Sequence, residues 1–105
     1  MAEMRHKTVA VTTLAVDVAT LTGLNAGPAR TITIQPALDS AVIIYGGGKD
    51  STLTTADYGW TLPVPDSGVP IGPLTYEGIN ISLADILVRC TTTTGKIAVS
   101  VVYGG

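Results

Sequence analysis

The sequence predicts a single all-β domain, an antiparallel β-sandwich of jelly-roll type with little or no helix. Three observations predict it. Thr (16), Val (11) and Ile (9) supply 36 of the 105 residues, and β-branched side chains suit a pleated strand better than a helix. Polar helix formers are scarce, with two Glu, three Lys, three Arg and one Gln. Short runs of period-two hydrophobicity recur about every ten residues, the spacing of sandwiches and barrels, and 12 Gly and 6 Pro supply the turns between them.

The elements follow in order. Residues 1–7 are mixed polar and charged, so they are expected to form a flexible N-terminal arm ahead of a sandwich domain spanning 8–105. Val9, Val11, Val16 and Val18 alternate with Ala, Thr and Asp, which predicts a strand with a bulge or slip near Thr12-Thr13-Leu14. Leu24 to Pro28 reads as a turn. Arg30 to Gln35 reads as a strand with Ile32 and Ile34 inward, closed by Pro36 because proline cannot donate to a ladder. Ala41 to Tyr45 is a continuous apolar run, expected to be a strand buried on both faces. Gly46 to Ser51 is expected to be an exposed loop.

Tyr58 to Leu62 reads as a short strand. Pro63, Pro65, Pro70 and Pro73 make the stretch to Leu74 extended and irregular. Strands are expected over Gly78–Leu83, Ile86–Thr91 and Lys96–Tyr103, the last with Ile97, Val99 and Val101 on one face. Thr91 to Gly95 reads as the hairpin turn joining the final pair. Ser82-Leu83-Ala84-Asp85 matches a capping box, but the strand-like run behind it favours a turn.

The charge content narrows the function. Only 14 residues are charged, the net charge is −2 and the isoelectric point is about 5.0. Six scattered cations make a poor field for displacing counterions, so no nucleic-acid partner is expected. No apolar run approaches the roughly 20 residues of a membrane helix, and Met1 to Lys7 has no apolar stretch behind its charges, so neither a membrane partner nor a signal peptide is expected. Cys90 is the one cysteine. It excludes an internal disulfide and a four-cysteine zinc site, and points to folding in a reducing cytoplasm.

No motif carries catalytic chemistry, and neither an enzyme nor a cofactor is expected. His6 is the lone histidine and sits on the expected arm, a poor position for a general base. Cys90 lies in a strand and reads as a small core residue. Gly46 to Ser51 fails the P-loop pattern, which needs Gly where Ile43 stands and Ser or Thr where Asp50 stands; a dinucleotide fingerprint needs Gly in place of Ser51. The eight carboxylates fall mostly at expected turns, without EF-hand spacing. Asn80-Ile81-Ser82 fits a glycosylation acceptor but lies inside an expected strand. Tyr58 and Trp60 are two apart and would share one strand face. Tyr76 and Tyr103 lie near strand ends. Such aromatics serve a sugar platform, a protein interface, or, for Trp60, a core plug.

Taken together, the polar start and Val9-Ala10-Val11-Thr12-Thr13, the strand Arg30-Thr31-Ile32-Thr33-Ile34-Gln35, the run Val42-Ile43-Ile44-Tyr45-Gly46, the middle segments Gly59 to Pro63 and Ile71 to Leu74, and the closing Asp85 to Val88 and Ala98 to Gly104 resemble the small all-β head decoration, or cement, proteins of tailed bacteriophages and related head-fibre bases. The resemblance spans residues 8–103. It implies a homo-oligomer, dimer or trimer, on the capsid exterior, made in the bacterial cytoplasm and gripping the major capsid protein. Met4, Arg5, His6, Lys7, Tyr58, Trp60 and Tyr103 are the expected contact residues. Two other readings accompany it: a carbohydrate- or receptor-binding module on a fibre or tail, with a glycan as partner, and a structural subunit of another assembly.

Overall fold

Among the described residues the strand-forming sequence makes eight strands in two four-stranded antiparallel sheets. The computed structural model describes residues 3–66, 69 and 71–104. Met1 and Ala2 of the expected arm, Pro70 of the irregular stretch and Gly105 lie outside the described residues.

The order along the chain is β1 (Glu3–Val11), β2 (Val16–Asp17), α1 (Val18–Thr22), β3 (Ala29–Pro36), β4 (Ile44–Gly48), β5 (Trp60–Leu62), β6 (Leu74–Ile81), a single 3-10 turn (Leu83–Asp85), β7 (Ile86–Cys90) and β8 (Gly95–Tyr103). One sheet, here the long sheet, has the order β1-β8-β3-β6; the short sheet has β2-β7-β4-β5. The pairing is nested. β1 lies against β8, β2 against β7, β3 against β6 and β4 against β5. Contacts of β8 with β3 and of β7 with β4 complete the sheets. This is a two-stranded ribbon folded over on itself, the jelly-roll arrangement.

The core lies between the sheets, where alternate residues of each strand meet. The long sheet contributes Ile32, Ile34, Ile97, Val99 and Val101, and the short sheet Ile44, Ile86, Val88 and Cys90, all buried. Period-two burial along β3, β7 and β8 is what the sequence pattern predicts. Among the described residues no helix is long and apolar enough to cross a membrane.

Several expectations are corrected. Residues 3–7, expected as a flexible arm, are part of β1, in unbroken register with β8 from Glu3↔Tyr103 to Val11↔Gly95. Backbone pairing holds them, which side-chain polarity does not reveal. Val18 is not in a strand: Asp17 caps a helical turn by accepting from the Thr20 N–H at 3.0 Å, and Gly23, at φ 74°, ends it. The run Ala41 to Tyr45 does not form the doubly buried strand; Ile43 is exposed and the strand starts at Ile44. It continues through Gly46-Gly47-Gly48, expected as a loop. β6 begins at Leu74 rather than Gly78. Ser82 caps the 3-10 turn by accepting from the Ala84 N–H. Thr91 to Gly95 is not a hairpin turn, because β7 and β8 belong to different sheets; it is a corner carrying the chain across the sandwich.

Candidate interaction surface

The outer face of the long sheet is built from the residues that alternate with its core positions. Reading across β1, β8, β3 and β6, one row is Met4, Val102, Thr31 and Glu77; the next is His6, Ser100, Thr33 and Thr75; a third is Thr8, Ala98 and Gln35. Among the described residues of this face, formal charge lies toward the borders, at Glu77, at the exposed Arg30 in the β3 bulge beside Gly104, and at Lys96, which ion-pairs with Asp39 at 2.9 Å and so holds that carboxyl below its usual range. Small side chains at the centre of a four-stranded sheet, with few charges to desolvate, suit packing against another protein.

Individual side chains fix the short sheet and its loops. Trp60, on β5, faces Gly46 on β4 across the pair Gly46↔Trp60. A Cβ at Gly46 would strike the indole, so the glycine makes the seat for the ring. The Trp60 Nε1–H donates to the Tyr76 hydroxyl on β6, joining the edge of the short sheet to the edge of the long one. On the outer face, Arg89 of β7 donates from Nε to the Thr13 carbonyl at 2.8 Å and from Nη1 to the Thr52 and Leu53 carbonyls at 3.4 Å, pinning two loops with one guanidinium. Leu53 is wholly buried beneath its loop, at φ 53°. The Asp57 carboxylate accepts from the Thr52 N–H at 2.9 Å and hydroxyl at 2.8 Å, which lowers its pKa.

Tyr58 and Trp60 do not share a face. Tyr58 precedes β5 and meets Tyr45 edge-on, ring centroids 5.4 Å apart. Tyr45 is paired with Thr61 and Arg89 on the outer face, whereas Trp60 pairs with Gly46 on the inner one. Trp60 is thus partly buried against the core and Tyr58 is 49% exposed. Tyr103 is half-buried, and its hydroxyl donates to the Asn25 carbonyl at 2.6 Å; burial, then the Glu3 charge, raise its pKa. Met4, Arg5, His6 and Lys7 lie exposed along β1, Met4 and His6 on the outer face and Arg5 and Lys7 on the other. The structure therefore gathers Met4 and His6 onto one surface, places Arg5, Lys7 and Tyr103 on the opposite face of the long sheet, and leaves Tyr58 and Trp60 elsewhere. Ser100, Val102, Thr31 and Thr33 carry no motif; their alternation with buried Ile and Val is the one sequence signal that places them on the opposite face.

Cys90 is buried, and burial pushes its thiol pKa up against a weaker opposing pull from the Gly95 N–H; such a thiol is a poor nucleophile. Among the described residues, no three or more His, Cys, Asp or Glu side chains come together as metal ligands. A cavity of about 300 Å³ opens at one end of the sandwich, lined by Gly47, Gly48, Tyr76, Asn80, Ser82 and Asp85 among others. No protein-family model matches the sequence, and no curated protein matches it significantly.

Proposed function

We propose that this chain is a structural virion protein that binds the outside of a bacteriophage capsid and stabilises it as a decoration subunit. The observation that carries the reading is the outer face of the long sheet, uncharged at its centre around Ser100 and Thr33 and set on a jelly-roll core. Together with the resemblance of the strand layout to head decoration proteins, it supports a role in packing against a flat protein lattice. The major capsid protein is the proposed partner. A face of small residues contributes through area and close fit, and its few charges at the border leave little desolvation to offset.

The test is co-sedimentation with bacteriophage capsids that lack their own decoration protein, after stringent washing. The wild-type chain should remain on the particles. Ser100→Arg, which places a long cation at the centre of the face, should cut occupancy by about tenfold or more while leaving the thermal midpoint near its starting value. Absence of the wild-type chain from washed capsids, or unchanged occupancy for Ser100→Arg, would overturn the proposal.

A further inference from the structure

We infer that two copies of this chain pair β1 to β1 across a two-fold axis centred on Arg5, joining their long sheets into one eight-stranded sheet. The inference does not depend on the capsid reading, since the partner is a second copy of the chain itself.

The first argument is which edge is open. The two sheets have four edge strands. β2 and β5 are two and three residues long, too short to template a partner. β6 is interrupted: its register with β3 slips between Ala29 and Thr31, Asn80 sits at φ 61°, and Ile79 is 84% exposed. Bulges and short strands are the usual devices that blunt an edge. β1 has neither. It runs nine residues in unbroken register with β8, and residues 3–8 are exposed on both faces of the strand. Among the described residues it is the one long edge strand whose register runs without a bulge.

The second argument is charge. Glu3, Arg5 and Lys7 alternate along one face of β1. Charges on an edge strand normally repel a second strand, but here their order reads as its own complement. Antiparallel pairing about Arg5 sets Glu3 opposite the partner's Lys7 twice, once on each side of the axis, and Met4 opposite the partner's His6 on the other face. Glu3 already accepts from Arg5 Nε of its own chain at 2.9 Å through Oε1, which leaves its second oxygen for the incoming ammonium. The two Arg5 side chains that meet at the axis each have a carboxylate beside them. Other registers are worse. Full overlap of the nine residues centres on Lys7 and opposes two lysines, and centring on His6 opposes Arg5 and Lys7 twice. Centring on Met4 opposes Glu3 to Arg5 but pairs only residues 3–5 of the described strand. Directly opposed like charges destabilise a strand pair and opposite charges stabilise it, so the charge order selects the register. The contact is isologous and closes on itself.

The experiment is sedimentation velocity across about 1 μM to about 1 mM protein, a range that brackets typical weak to moderate dimers. The wild-type chain should dimerise within it. Glu3→Lys and Lys7→Glu should each weaken the dimer by about tenfold or more, because the axis counts every reversal twice. The double variant Glu3→Lys with Lys7→Glu should recover most of the affinity. Both side chains are exposed, so circular dichroism and the thermal midpoint of the monomer should stay near wild type. As a second readout, Arg5→Cys should give a disulfide-linked dimer on oxidation and Ala10→Cys should not. A monomer at every concentration, a dimer indifferent to both single reversals, or a double variant no better than the singles would overturn the inference.

Discussion

The two sheets of this sandwich are built by different means. The long sheet is a ladder: strands of nine, nine, eight and eight residues, with β-branched core positions alternating along β3 and β8. The short sheet has strands of two, five, five and three residues. Its shape comes from individual side chains: Trp60 seated over Gly46, Arg89 holding the loops at Thr13 and at Thr52-Leu53, and Leu53 plugged beneath its own loop. Many equivalent contacts stabilise the first, and a few unique ones the second. A ladder resists a substitution in proportion to the volume it removes. A side-chain fitting responds to a small change at one key position.

Substitutions can break or sharpen that contrast. The largest effect is expected in the long sheet. Ile34 is fully buried at the centre of β3, and Ile34→Ala should cost about 4 kcal/mol of unfolding free energy through lost burial and the residual cavity, read from urea denaturation. Gly46→Ala adds a single methyl to the short sheet. Because the new Cβ meets the indole ring, it should cost about 2 kcal/mol and shift Trp60 fluorescence, whereas Gly48→Ala, two residues along with open space at its Cβ, should cost less. Equal losses at Gly46 and Gly48 would show that backbone preference, not the ring, sets the short sheet. Tyr76→Phe removes the acceptor of the bond joining the two sheet edges and should cost about 1 kcal/mol, with Trp60 emission again the reporter.

The smallest effect concerns acid. The Asp57 carboxyl is held below its usual range by the Thr52 N–H and hydroxyl. A lowered folded-state pKa contributes stability above the ordinary aspartate range, and that stability is lost as pH falls through the folded value. Asp57→Asn should therefore lower the thermal midpoint slightly at pH 7, and the difference from wild type should shrink below about pH 4. A gap of the same size at pH 3 would mean that the side chain acts there without its charge.

The same contrast explains what the sequence made legible. Ile32 and Ile34, and Ile97, Val99 and Val101, announce the long sheet because period-two burial is written in side-chain identity. The short sheet is not written that way. Gly46-Gly47-Gly48 resembles a loop until Trp60 is known to lie over it, and a lone Leu53 in a polar segment carries no period. The opposite facing of Tyr58 and Trp60 follows from where β5 begins, a boundary that spacing alone leaves open. Residues 3–7 escaped notice for another reason: backbone groups opposite β8 hold them, and a ladder of that kind accepts almost any side chain. On the candidate surface, Met4 and His6 stand out in the sequence, but Ser100 and Thr33 become visible only when four strands are laid side by side.

The nested ribbon also sets the timetable of folding. Among the described strands β1 is made before the others, and its partner β8 after them. Until residues 95–103 have left the ribosome, residues 3–11 have no strand to join, and every pairing nested inside this one spans a shorter stretch of chain. Contacts this distant in sequence are slow to form, on the order of milliseconds to seconds for β-sandwiches. The innermost turn of the ribbon, β4 with β5, can form first, and the outermost pair seals the molecule. Truncation at residue 94 should accordingly leave β1 as an unsatisfied strand that recruits other chains, and the product should aggregate rather than fold.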